Sequence, residues 1–241
     1  MNSPEPVEPE STKAMRTAWL IVVLLIPVAL LNYLDRQMLA AMKFSVMQDL
    51  TSQEGAPLTD ASWGTVLALF KWVYAFLSPI GGYLADRYSR RHVIAASLFV
   101  WSLVTLMTGM VHTYEELLIT RALMGISEAF YIPAALALIA DFHIGNTRSR
   151  AVGMHQMGIY AGVIIGGFSG YAADHPSIGW RWAFYGCGVI GIAYALPLFF
   201  LLHNPQRSAE SESLSNRPSV LNAVRELSSN GSFILLVLYF T

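Results

Sequence analysis

The chain has 241 residues, 54% of them hydrophobic and only 13% charged, and its 15 Lys+Arg against 16 Asp+Glu leave a net charge of −1. Soluble domains carry about 25% charged residues, so too little polar surface remains to coat a water-soluble body, and the balanced charge excludes the basic field that nucleic acid needs. A single cysteine, Cys187, excludes a disulfide within this chain and any zinc site built on clustered thiolates.

In chain order, residues 1–17 are acidic and proline-bearing (Glu5, Pro6, Glu8, Glu10) and are expected to be a disordered cytoplasmic terminus. They lack the basic start and small-residue cleavage site of a removable signal peptide, so the span that follows reads as a retained anchor. Residues 18–202 contain six apolar segments, 18–42, 62–85, 93–111, 117–140, 151–173 and 182–202. Each is near the ~20 residues needed to cross ~30 Å of hydrocarbon. The runs are continuous rather than alternating, which favours helices over a barrel. Residues 203–232 read as a polar, serine-rich cytoplasmic linker with an amphipathic patch at 220–227, and 233–241 as the start of a truncated seventh span. The fold class expected is an all-α polytopic membrane protein built as a six-helix bundle.

Lys13, Arg16, Arg87, Arg90, Arg91, Arg148, Arg150, Arg207, Arg217 and Arg225 fall on one side of these spans, and only Lys43 and Arg181 on the other. Basic residues collect on the cytoplasmic side, so both ends of the bundle are expected to be cytoplasmic.

Ionisable groups at membrane depth are costly and usually mark a pathway. Asp35 and Arg36 lie ~26 Å along the first helix, with the apolar run continuing beyond them. Arg121 and Glu128 are seven residues apart on the fourth helix, close to two turns, and so project from one face. A carboxylate at the depth of Glu128 is either paired with a cation or protonated, because desolvation disfavours its charge; a group alternating between those states is a proton carrier. Lys71, sharing a face with Tyr74, either meets an anionic substrate or reaches up to headgroups. His155, opening the fifth helix, reads as an interfacial histidine. Gly158, Gly162, Gly166 and Gly170, spaced four apart and joined by Gly167, make a smooth stripe against which another helix can pack. No metal-ligand spacing, nucleophile elbow or phosphate loop is present, so neither an enzyme nor a cofactor is expected.

The loop between the second and third spans reads Gly82-Tyr83-Leu84-Ala85-Asp86-Arg87-Tyr88-Ser89-Arg90-Arg91. It resembles the Gly-x-Leu-x-Asp-Arg-x-Gly-Arg-Arg loop of the major facilitator superfamily, with Ser89 in place of the usual glycine. Asn32-Tyr33-Leu34-Asp35-Arg36 resembles the helix-1 signature of the anion:cation symporter and Spinster-like branches, and Arg121-x-x-x-Gly125-x-x-Glu128-Ala129 is similar to both. Residues 82–88, Trp101-Ser-Leu-Val-Thr, Ile139-Ala-Asp141 and Arg148-Ser-Arg150 lean towards Spinster. The resemblance covers about residues 15–205 and implies the amino-terminal half of a twelve-helix transporter. It implies Asp35 and Glu128 as the protonatable pair, with Arg36 and Arg121 as their cation partners and substrate anchors. Asn32, Tyr33, Lys71 and Tyr74 are expected beside them at the substrate. It assigns Gly82, Asp86, Arg87, Arg90, Arg91, Asp141, Arg148 and Arg150 to a cytoplasmic gate. The fifth helix lacks the proline of the antiporter glycine motif, which argues against drug exchange.

The function expected is proton-coupled secondary active transport of a small organic anion, a sugar acid or carboxylate, by alternating access, with Arg36 passing between Asp35 and the substrate. The alternatives are a Spinster-like carrier of lysolipid or another amphiphile, and a non-transporting sensor on the same fold. Expected partners are the anion, protons, the lipid bilayer and the missing carboxyl-terminal half; the expected location is the bacterial inner (plasma) membrane.

Overall fold

The computed structural model describes residues 9–54, 57–175, 177–203 and 229–231. The chain divides into two units, Met1–Asn204 and Pro205–Thr241, and the helices whose bounds follow lie in the first. They are α1 (Pro9–Ala41), α2 (Lys43–Glu54), α3 (Asp60–Arg87), α4 (Arg90–Gly109), α5 (Tyr114–Glu128), α6 (Tyr131–Phe142), α7 (Asn146–Gly167), α8 (Ser169–Ala173) and α9 (Gly179–Leu201). Among the described residues there is no strand. Six stretches are long and apolar enough to cross a membrane: Ala14–Ala41, Asp60–Arg87, Arg90–Met110, Tyr114–Phe142, Asn146–Ala173 and Gly179–Leu201. They coincide with the six apolar runs of the sequence to within a few residues. The amphipathic patch at 220–227 and the seventh run at 233–241 lie outside the described residues.

Local chemistry sets the helix ends. Thr59 caps α3 by accepting from the Ser62 N–H at 3.2 Å. Thr113 and Glu116 form a reciprocal capping box at the start of α5, satisfying N–H groups that a helix start leaves without partners. Three departures from the sequence reading stand out. The first helix begins at Pro9, so residues 9–17 are helical rather than disordered. An unforeseen helix, α2, follows the first span. The fourth span is two helices, broken at Ala129 and Phe130 directly after Glu128. Pro133 has no N–H to give the Ala129 carbonyl four residues back, and that carbonyl instead occupies the place where a Cβ on Gly81 would stand.

Glycines decide how closely the spans approach. The carbonyls of Ile26, Leu30 and Leu34 on α1 fill the positions where Gly158, Gly162 and Gly166 of α7 would carry a Cβ, and Ala41 faces Gly170 at 3.2 Å. Both series step by four residues, so the two backbones run against each other turn for turn. Gly188 of α9 admits Leu106 and the Ser102 carbonyl of α4, Gly191 admits the Ser102 side chain and the Trp101 ring, and Gly125 of α5 admits the Phe70 carbonyl of α3 at 2.8 Å from its Cβ position. At the Met110 end, Arg181 pairs with Asp49, lies over the Trp180 ring at 4.3 Å and donates to the Val111 carbonyl at 2.6 Å. That clasp ties α2 and the start of α9 to the end of α4.

Candidate functional site

Two ion pairs, each with a buried carboxylate, link α1 to α5. Arg36 Nε donates to Glu128 Oε2 at 2.6 Å, and its Nη2 contacts the same oxygen. Arg121 Nη1 donates to Asp35 Oδ2 at 3.4 Å, while Nη2 donates to Thr108 Oγ1 at 2.6 Å. Thr108 in turn donates to the Val104 carbonyl at 2.9 Å, which fixes its hydroxyl as the acceptor for Arg121. The pairing is crossed. Arg36 does not pair with its neighbour Asp35 as the sequence reading expected, because adjacent helical residues point about 100° apart. Arg121 and Glu128 are separated by about 10 Å along α5, and the long arginine side chains cover that offset, one from each helix.

The two pairs differ in exposure. Asp35, Arg121 and Glu128 are all fully buried, but the Arg36 side chain is 25% exposed. Its guanidinium lies 4.6 Å from the Tyr33 ring centre, 4.7 Å from Phe70 and 4.9 Å from Tyr74. Three aromatic faces and one carboxylate oxygen therefore hold a cation whose remaining edge is open. Gly125 makes this possible: by admitting the Phe70 backbone it brings α3 close enough for Phe70 and Tyr74 to reach Arg36.

The remaining residues singled out in the sequence distribute around this cluster. Asn32 is buried and donates to the Val28 carbonyl at 2.7 Å. Lys71 is exposed and stands outside the cluster. His155 is buried, and Tyr131 lies 2.9 Å from its Nε2. The Tyr131 hydroxyl also lies 3.1 Å from the Leu25 carbonyl, to which it donates, so His155 donates to Tyr131. At the Arg90 end of the bundle, Arg90 pairs with both Asp86 and Asp141 and donates to the Ala137 carbonyl at 2.9 Å. Arg87 donates to Tyr83, and Arg91 lies over the Phe199 ring at 5.8 Å. Arg148 and Arg150 are exposed and form none of the ion pairs found among the described residues. The crowded glycine is Gly81, just before the loop motif; a Cβ on Gly82, the motif's own glycine, would meet only Pro133, at 3.9 Å. Among the described residues no three of His, Cys, Asp and Glu converge to hold a metal ion.

Phe70 and Thr108 are the members of the cluster that the sequence reading missed. Phe70 lies one turn before Tyr74, and Thr108 lies on a polar stripe with Trp101 and Thr105 in an otherwise apolar helix; those spacings are the signals that could have found them.

Comparison with known proteins gives a consistent picture. The sequence profile described as Major Facilitator Superfamily matches residues 25–241. Protein spinster homolog 1 of Xenopus tropicalis is 34% identical over 227 residues, covering 92% of this chain and 42% of that protein. The Homo sapiens homolog is 33% identical with the same coverage. Protein spinster of Drosophila melanogaster is 31% identical over 99% of this chain and 38% of its own length. Among solved structures, a bacterial homolog of the human lysosomal transporter Spinster, inward-facing and unoccupied, matches with a TM-score of 0.71 at 24% identity, over 80% of this chain and 44% of that one. Its inward-facing occupied form gives a TM-score of 0.65 at 25% identity, over 78% of this chain and 45% of that one. The chain thus spans less than half the length of the relatives it matches.

Proposed function

Because this chain belongs to the Major Facilitator Superfamily and is an integral multi-pass membrane protein, we propose that it forms the amino-terminal half of a proton-coupled secondary transporter for an organic anion. The observation that carries this reading is the unequal pair of ion pairs: Asp35–Arg121 is sealed, while Arg36 on Glu128 keeps an open edge. A carboxylate or phosphate arriving at that edge competes with Glu128 for the guanidinium, through charge-assisted bonds that the planar fork can make on two sides. Glu128, buried and losing its cation, then takes up a proton, since an unpaired carboxylate in that setting is strongly disfavoured. Binding of the anion and protonation of Glu128 thereby become one event, and Asp35 repeats the exchange with Arg121 deeper in the bundle.

The three rings around Arg36 favour an amphiphile with an anionic head, the lysolipid-type cargo of the Spinster alternative, over a sugar acid. Aromatic faces cover apolar carbon well but present few partners to sugar hydroxyls. The similarity to Spinster homologues supports the same choice. The experiment is uptake into proteoliposomes containing the full-length protein, with labelled lysophospholipid and labelled gluconate compared under an imposed pH gradient. Concentrative, pH-driven uptake of the lysophospholipid is expected; uptake of gluconate alone returns the sugar-acid reading, and binding of either without flux returns the sensor.

A further inference from the structure

Nine buried side-chain nitrogen and oxygen atoms lack a hydrogen-bond partner among the described residues, and six of them belong to Asn32, Asp35, Trp101, Thr105, Arg121 and Glu128. That concentration is unlike the scattered few expected in a folded interior. Setting Glu128 aside, the other five lie on α1, α4 and α5 around the Asp35–Arg121 pair. Arg121 bonds Asp35 on α1 and Thr108 on α4, which brings one side chain of each helix to the same guanidinium. Asn32 lies three residues before Asp35 on α1 and Thr105 three residues before Thr108 on α4, so each shares a helix face with the residue that bonds Arg121. Trp101 lies one further turn back on the same stripe of α4. All five residues are buried.

The unbonded atoms are of both kinds. Asn32 Oδ1 and Asp35 Oδ1 only accept, Trp101 Nε1 and Arg121 Nε only donate, and the Thr105 hydroxyl does both. A cation would satisfy the acceptors and be repelled by the donors; an anion would do the reverse. Water satisfies both. We infer that Asn32, Asp35, Trp101, Thr105 and Arg121 enclose a buried hydration site, and that its water carries the proton to Asp35 on the α4 side, apart from the Arg36–Glu128 pair.

The inference rests on the proton-coupled reading and extends it. The proton enters as hydronium from the aqueous phase: the bonded water receives it on one side and gives a proton to Asp35 Oδ1 on the other, so no water is consumed, and the neutral carboxyl releases Arg121. The charged and titratable groups facing Asp35 are Arg121 and Glu128 from α5, Arg36 from α1 and Cys187 from α9. Thr105 is the positioning residue, because its hydroxyl alone can both receive a bond from water and pass one on.

Infrared difference spectroscopy between acidic and neutral pH tests this on the full-length transporter in lipid nanodiscs, in ordinary and oxygen-18 water. The unsubstituted protein should give a carboxyl band that Asp35→Asn removes, accompanied by water bands that shift in oxygen-18 water. Thr105→Val, similar in shape but without the hydroxyl, should lose the water bands and keep a displaced carboxyl band; Thr105→Ser should restore both. An Asp35 band without oxygen-18-sensitive partners, or one unchanged in Thr105→Val, overturns the hydration site and leaves the proton reading standing. The lack of any Asp35 band overturns proton uptake there and the relay with it. Should Thr105→Val not fold, hydrogen exchange of the Trp101 indole in the unsubstituted protein decides: ready exchange into heavy water supports the site, and protection equal to the α4 backbone overturns it.

Discussion

Arg36 is held by contacts of two kinds, charge on Glu128 and stacking on Tyr33, Phe70 and Tyr74, and a lysine keeps only the first. Removing the guanidinium leaves Glu128 buried without its cation, a situation that costs about 3–5 kcal/mol when one partner of a buried pair is deleted. Arg36→Ala is therefore expected to lower the melting temperature of the full-length protein clearly, whereas Arg36→Ala combined with Glu128→Gln should regain much of the loss. A double-mutant cycle should give a coupling energy of about 1–3 kcal/mol; additivity within error would show that the pair contributes nothing to the fold. Arg36→Lys separates the two kinds of contact. It preserves the charge, should melt close to the unsubstituted protein, and should weaken anion binding about tenfold through loss of the planar fork and its stacking. Binding of labelled lysophospholipid by the lysine variant, measured beside its melting curve, checks both halves of that expectation.

At the scale of helices, the glycine positions give sharper expectations than any charge. Gly162 faces the Leu30 carbonyl of α1, a backbone atom that cannot rotate away, whereas Gly167 faces open space. Gly162→Ala should push α7 off α1 and reduce the yield of folded, monodisperse protein. Gly167→Ala should be neutral or slightly stabilising, since alanine in a helix is favoured over glycine by about 1 kcal/mol. Equal behaviour of the two variants in size-exclusion profiles would contradict the close α1–α7 packing. The stripe itself was legible in the sequence because fourfold spacing is a property of one helix. What it packs against was not legible, since spacing carries no information about the neighbour. The same limit explains the crossed ion pairs. Residue identities marked Asp35, Arg36, Arg121 and Glu128 as the costly groups, but which cation faces which carboxylate depends on helix rotation and axial offset, which only the packed bundle supplies. The α5–α6 break was partly readable from Pro133, yet the Ala129 carbonyl could turn outward only because Gly81 of α3 leaves room for it.

For the whole molecule, composition and apolar run length made the six spans and the all-helical class legible, because the bilayer imposes both requirements on each segment separately. The charge asymmetry adds an expectation for orientation: a cysteine at Ser89 should react with impermeant thiol reagents only from inside, and one at Ser177 only from outside. Cys187 is buried and should contribute little background, so the reverse pattern would overturn the orientation. The last expectation concerns sufficiency. Only 11% of an 18-residue apolar stretch of the second span is buried within the bundle, and Trp72, Phe76 and Ile80 stand exposed four residues apart along its face. The fifth span likewise exposes Met157, Tyr160 and Ile164. The open edge of Arg36 belongs to the same bundle, so the anion site proposed there would have a floor and one wall. Transporters of repeated architecture place their substrate between the two halves and move it by rocking one against the other. A single half has nothing to rock against and no second gate to close. Residues 1–241 alone, reconstituted as a monomer, should therefore bind lysophospholipid weakly and give no saturable uptake, while the full-length protein in parallel vesicles gives it. Saturable, pH-driven uptake by the 241-residue chain would mean that the six helices alternate access by themselves, and the division of the site between two halves would have to be abandoned.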